Sequence, residues 1–189
     1  MDGYRIEHDS MGEVRVPTDA LWGAQTQRSY QNFRIGTETM PPELIHAFAL
    51  VKKAAAQANV ELGCLEPSAA TEAACDELLE GRHADAFPLK VWQTGSGTQT
   101  NMNLNEVLAR RGNQIAGERG LALSVPLHPN DSVNRSQSSN DTFPTALHVA
   151  ADLAVTQRLI PAAERLVATL ARLERQNEGI VKRGRTHLQ

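Results

Sequence analysis

Three short polar runs hold most of the chemistry-bearing side chains of this sequence: residues 94–103, 136–145 and 184–189. Each is dense in hydroxyls, carboxamides and glycines, and each lies against a stretch that reads as helix. Many neutral hydrogen-bond donors in one place suit a small, strongly anionic ligand. In the first run Gly95 and Gly97 let the backbone turn tightly, Ser96 and Thr98 add hydroxyls, and the helix beyond offers free N–H groups at its start. The helix dipole favours a carboxylate there by about 0.3–1 kcal/mol. An ordinary glycine turn with a helix cap leaves the same trace, so this run alone decides nothing. In the second run four successive residues, Ser138 to Asp141, can each cap a helix, where one suffices. Asn101, Asn103 and Asn105 stand near a helix start despite poor helix propensity, so their amides should bond something, a ligand or a neighbouring loop. The third run adds a titratable group, His187, beside Arg185 and Thr186. A histidine titrates near physiological pH, and the three runs together point to acid–base chemistry on a carboxylate substrate.

A second polar group is His128-Pro129-Asn130-Asp131, whereas His8, His46, His83 and His148 stand apart from any polar constellation and read as structural. No further ligands at metal-binding spacing accompany these histidines, so a metal site is not expected. The two cysteines, Cys64 and Cys75, sit in alanine-rich helical sequence and read as small buried apolar residues.

These runs must be positioned by a mainly helical chain. Residues 4–17 alternate as a small β-hairpin, with turn residues from Asp9 to Gly12. Ala24 to Phe33 is a short helix candidate. Pro41 and Pro42 open a longer one through Leu44, Phe48, Val51, Ala55, Ala58 and Leu62, stopping at Gly63. Pro67 starts a helix over 68–79. The next is expected over 103–115, with Leu104, Val107, Leu108 and Ile115 on its apolar side and Gly117 and Gly120 at its exit. Asp141 or Thr142 should cap a long final helix reaching Asn177, kinked at Pro161. That helix is apolar around much of its circumference, from Leu147 to Leu173, and needs neighbours from a continuation of the chain, from other subunits, or from both. The domains expected are a mostly helical one over 1–136 and, over 137–189, the truncated beginning of a helical bundle.

The 189 residues are 41% hydrophobic and 22% charged, ordinary for a globular protein, with a net charge of −3. This balance gives no basic footprint for nucleic acid or an anionic membrane, and no apolar run approaches the ~20 residues of a membrane span. The first residues lack the basic start and apolar stretch of a signal peptide, so a cytoplasmic location is expected. The chain stops inside the third run, which suggests a fragment of a longer protein.

The motifs match a known family in register along the whole chain. Residues 95–103 with Asn105-Glu106-Val107, the run His128 to Asp131, Ser136 to Asp141 and Gly184 to Gln189 resemble class II, iron-independent, fumarate hydratase of the fumarase/aspartase superfamily. The openings Tyr4 to Gly12 and Leu21 to Arg28 are similar to it as well. Aspartases typically carry Gln where this chain has His187 and Thr where it has Ser139. The resemblance implies reversible hydration of fumarate to malate in the tricarboxylic acid cycle, no cofactor, and a homotetramer whose sites are assembled from three subunits. It implies that Ser96, Thr98, Ser138, Ser139, Asn140 and Thr186 hold the substrate carboxylates and that His187 serves acid–base chemistry. His128, Pro129, Asn130 and Asp131 would form a second anion site. Some members carry a basic residue just before that loop, and residues 123–127 have none. The family's serine-containing loop, credited with the catalytic base, would lie beyond residue 189, so this stretch alone is expected to be inactive. Aspartate ammonia-lyase and a non-catalytic structural relative are the alternatives.

Overall fold

The computed structural model describes residues 3–66 and 69–184. Two strands, β1 (Tyr4–Asp9) and β2 (Gly12–Pro17), pair antiparallel, with Asp9 opposite Gly12 across a two-residue turn. Among the described residues six α-helices follow: α1 (Ala24–Asn32), α2 (Pro42–Glu61), α3 (Ala69–Leu79), α4 (Thr98–Arg119), α5 (Ser139–Ala154) and α6 (Ile160–Gln176). The chain forms two compact units, Met1–Ala150 and Ala151–Gln189. The mainly helical architecture with one small hairpin is thus the observed one.

In the first unit α4 is the central element, and α1, α3 and the 129–133 turn pack against it. Leu104, Val107, Leu108 and Ile115 of α4 are buried with Phe48 of α2, Cys75 and Leu78 of α3, and Ala146 of α5. The ring of Phe143 on α5 stands 6.0 Å from that of Phe48. The hairpin register sets Val14 opposite Glu7 and Val16 opposite Arg5, so the buried face of β2 is shared with charged residues of β1. Tyr4 and Ile6 point the other way and are exposed. Arg5 makes this tolerable by donating to the carbonyls of Pro17, Ala20 and Trp22.

Several expectations need correction. Helix α4 begins at Thr98, five residues ahead of the expected start, because Gly97 turns into it with φ +73°. Gly117 lies inside the helix, and Gly120 alone ends it. Helix α5 begins at Ser139, so neither Asp141 nor Thr142 is its cap; the carbonyl of Ser138 accepts from both their amides. The buried side of α2 runs through Ile45, Phe48, Ala49, Lys52 and Asn59, which leaves Leu62 exposed. Cys64 is exposed because it follows the turn at Gly63, whereas Cys75 is buried as expected and its thiol is pushed up to about 12 by desolvation. His83 does have a polar setting: its Nε2 lies 2.7 Å from Glu77. The start of α3 at Pro67 and Ser68 falls outside the described residues.

The second unit contains α6, preceded by a wider-wound stretch, Val155–Leu159. Pro161 has no N–H to donate and its ring crowds the carbonyl four residues back, so the helix widens just ahead of it. Among the described residues no helix is long and apolar enough to cross a membrane.

Candidate functional site

The first two polar runs meet at the starts of two helices. Thr98, the first residue of α4, and Ser139, the first residue of α5, bring their hydroxyls to 3.0 Å. Ser96 Oγ donates to Thr98 Oγ1 at 3.0 Å, which makes a row of three hydroxyls. Ser138 and Asn140 flank Ser139 and are exposed, with the Asn140 amide donating to Ser138 Oγ at 3.3 Å. The positive ends of two helix dipoles are therefore brought together, an arrangement that repels itself and is relieved by an anion. The first turn of α4 carries no acidic residue, whereas that of α5 carries Asp141.

Gly97 makes this convergence sterically available. A Cβ there would fall 2.2 Å from the ring of Phe143, so the backbone of the first run lies directly on the helix of the second. Gly95, in contrast, faces open space.

Beneath the hydroxyl row runs a buried polar network. Asn101, one turn along α4, donates from Nδ2 to Asn134 Oδ1 at 3.1 Å. Thr142, one turn along α5, donates to Asn101 Oδ1 at 3.3 Å. Lys52 of α2, only 1% exposed, donates to Asn134 Oδ1 at 3.0 Å and to Gln137 Oε1 at 2.9 Å. Burial pushes its ammonium down to about 7, and no carboxylate pairs with it among the described residues. Sequence reasoning missed Lys52 and Asn134. The available signal was a lysine at a core position of α2, four residues after Phe48.

Of the three asparagines singled out at the start of α4, two bond neighbouring segments, whereas Asn105 reaches only Met102 Sδ at 3.9 Å and its buried Oδ1 has no hydrogen-bond partner among the described residues. Besides Asn101, Asn103 donates to the carbonyl of Ala86 at 3.0 Å. Glu106, in the same motif, accepts from the amides of Gly23, Gln25 and Thr26 at 2.8–3.1 Å and so caps α1. These motif residues build the fold around the site.

His128 stands elsewhere, exposed, at the start of the wide turn Pro129–Val133. Its Nδ1 lies 3.0 Å from Asp131 Oδ2, and its amide donates to Ser132 Oγ at 3.0 Å. His128, Pro129 and Asn130 line an open cleft of about 970 Å³ shared with Arg5 and Arg110. Thr186 and His187 lie outside the described residues.

The sequence profile of the lyase family matches residues 12–189. The chain belongs to the lyase family. It is 60% identical over 187 residues to a fumarate hydratase class II of Halalkalibacterium halodurans, covering 98% of this chain and 40% of that protein. A fumarate hydratase class II of Nitrosomonas europaea is 59% identical over 192 residues, covering 100% of this chain and 41% of that protein. Among solved structures, a class II fumarase from Schistosoma mansoni superposes with a TM-score of 0.90 at 41% identity, covering 98% of this chain and 40% of that one. The chain thus spans about two fifths of the length of the relatives it matches, in their N-terminal part.

Proposed function

We propose that the full-length protein is a fumarate hydratase, adding water reversibly to the double bond of fumarate to give malate, a step of the tricarboxylic acid cycle. The observation that carries this reading is the convergence of two helix starts, with Thr98 and Ser139 hydroxyls 3.0 Å apart. The names of the relatives supply the substrate. In this reading residues 1–136 form the N-terminal domain and 137–189 begin a central helical bundle. The assembled enzyme is a homotetramer acting on a small dicarboxylate in the cytoplasm.

In the malate direction a base takes a proton from the carbon beside one carboxylate, and the electron pair left behind spreads onto that carboxylate. Ser96, Thr98, Ser138, Ser139 and Asn140 meet the carboxylates with neutral donors fixed in advance, as an oxyanion hole does, and the family resemblance adds Thr186 to them. His187 then gives a proton to the departing hydroxide, which leaves as water and completes the double bond. Proton transfer of this kind contributes about 10²–10⁴-fold. The base that takes the carbon proton is placed by family resemblance on a serine-containing loop beyond residue 189. By the family resemblance His128 to Asp131 form the second anion site, beside a cleft whose Arg5 and Arg110 are both paired with Glu7.

The test is a hydration assay on the full-length protein, following fumarate by its ultraviolet absorbance. Turnover should fall about 10²-fold in Asn140→Ala and in His187→Asn, with assembly intact, and by less than about threefold in His128→Ala. A larger loss for His128→Ala than for Asn140→Ala overturns the site assignment. Ammonia release from aspartate without fumarate hydration marks an ammonia-lyase, and neither activity marks a structural relative.

A further inference from the structure

Two polar residues on the buried side of α2 address one short segment. Lys52 donates to the side chains of Asn134 and Gln137, and Asn59, two turns on, donates from Nδ2 to the carbonyl of Arg135 at 2.9 Å. Burying a lysine is costly, and this one is met by two carboxamide oxygens and, among the described residues, by no carboxylate. The segment it holds is itself strained: Ser136 has φ +60°, a left-handed conformation costing a residue with a side chain about 1–2 kcal/mol. Ser138 to Asn140 follow immediately.

A carboxamide has an accepting end and a donating end, and the fixed hydrogen-bond donor at Lys52 Nζ dictates which one faces it. With the oxygens of Asn134 and Gln137 turned to Lys52, their nitrogens must face away. Asn134 Nδ2 then donates to the carbonyl of Gln137 at 3.2 Å. Gln137 Nε2 donates to the carbonyls of Val133 and Arg135 at 3.0 and 3.2 Å. These bonds close the turn around Ser136. Asn134 Oδ1 also accepts from Asn101 Nδ2, which leaves Asn101 Oδ1 free to accept from Thr142. The orientation imposed at Lys52 is thereby relayed to α4 and to α5, one turn beneath the Thr98–Ser139 contact.

We propose that Lys52 is a positioning residue of the anion site, its buried Nζ fixing Asn134 and Gln137 so that the starts of α4 and α5 present Thr98, Ser139 and Asn140 in one register. The proposal rests on the fumarate hydratase reading for its reaction, and not for its geometry. Met is the replacement of choice, since it keeps the length of the side chain and removes the charge.

The experiment compares the full-length wild type with Lys52→Met, Gln137→Met and the double variant. It measures kcat and KM for fumarate, and amide hydrogen exchange over residues 134–142. Lys52→Met should lower kcat by about 10–100-fold with KM changed less than about threefold, because fixed donors act on charge that develops in the transition state. Exchange over 134–142 should quicken at least about tenfold, and the double variant should lose no more than Lys52→Met alone. If Lys52→Met does not fold, Gln137→Met decides: a fall in kcat of about tenfold supports the proposal, and a kcat within twofold of wild type overturns it. Unchanged exchange over 134–142 overturns it in either variant, as does a fall in thermal stability with kcat intact. Should the wild type not hydrate fumarate, the reaction assignment fails by itself, and the exchange measurement alone judges the positioning role.

Discussion

Gly97 meets two demands that no other residue type meets together. Its φ of +73° disfavours any side chain, and the ring of Phe143 occupies the place where a Cβ would go. Gly97→Ala should therefore destabilise the full-length protein by about 2–4 kcal/mol, summing a left-handed penalty and an overpacking penalty. Gly95→Ala, in the same run but facing open space, should cost less than about 1 kcal/mol. Urea midpoints of the two variants check this, and equal losses would show that the contact with Phe143 carries no weight. The two glycines look alike in sequence, both reading as points of ligand approach. Only the structure separates them, because Phe143 is remote from Gly97 in the chain and its partner cannot be inferred from local spacing. The same holds for Glu106, whose three amide partners belong to α1.

At the scale of elements, α3 and α4 are joined by a charge cluster as well as by apolar packing. Glu77 of α3, 3% exposed, accepts from Arg111 of α4 at 2.6 and 3.0 Å and lies 2.7 Å from His83. Hydrogen bonds from Arg111 hold its carboxyl down at about 2, against an ordinary value of 4.5, in spite of burial. Folding thus favours the charged form. The stability this contributes is complete above about pH 4.5 and is lost as the pH falls toward about 2. Glu77→Gln should cost about 3 kcal/mol at neutral pH, since among the described residues it leaves Arg111 with the more exposed Glu118 as its carboxylate, beside the neutral Gln114. It should also flatten the decline in stability between pH 5 and 2; thermal melts across that range check both effects, and a slope equal to wild type would remove Glu77 from the acid response. Helices α1 to α3 and the hairpin were legible because capping prolines, terminating glycines and alternation are local signals. The start of α4 and the buried side of α2 were not. Four of their polar residues, Thr98, Asn101, Lys52 and Asn59, are justified by partners 33 to 85 positions away. The three hydroxyls of the site were legible as types, while the lysine beneath them was hidden by the usual expectation that lysine faces water.

At the scale of the whole molecule, the second unit carries an apolar surface that is exposed among the described residues. Leu159, Leu166 and Leu173 recur every seven residues, with Ile160, Val167 and Leu170 beside them, and all six are exposed. A seven-residue apolar repeat is the pattern by which a helix packs lengthwise against other helices. A contiguous exposed patch of more than a few hundred Å² drives association in water. The 189 residues span two fifths of the relatives' length, and by the proposed mechanism they lack the group that abstracts the carbon proton. Two outcomes are therefore expected of a preparation of residues 1–189 alone. Light scattering should report particles heavier than one chain at micromolar concentration, and Leu166→Glu combined with Leu170→Glu should reduce that mass while the circular dichroism of the helices is largely kept. Fumarate absorbance should stay constant over the time in which the full-length protein consumes it, because donors that hold a carboxylate cannot by themselves move the carbon proton. Sustained turnover by a monomeric preparation would refute both expectations: the apolar face would need no cover, and the proton abstraction would have to come from within these residues.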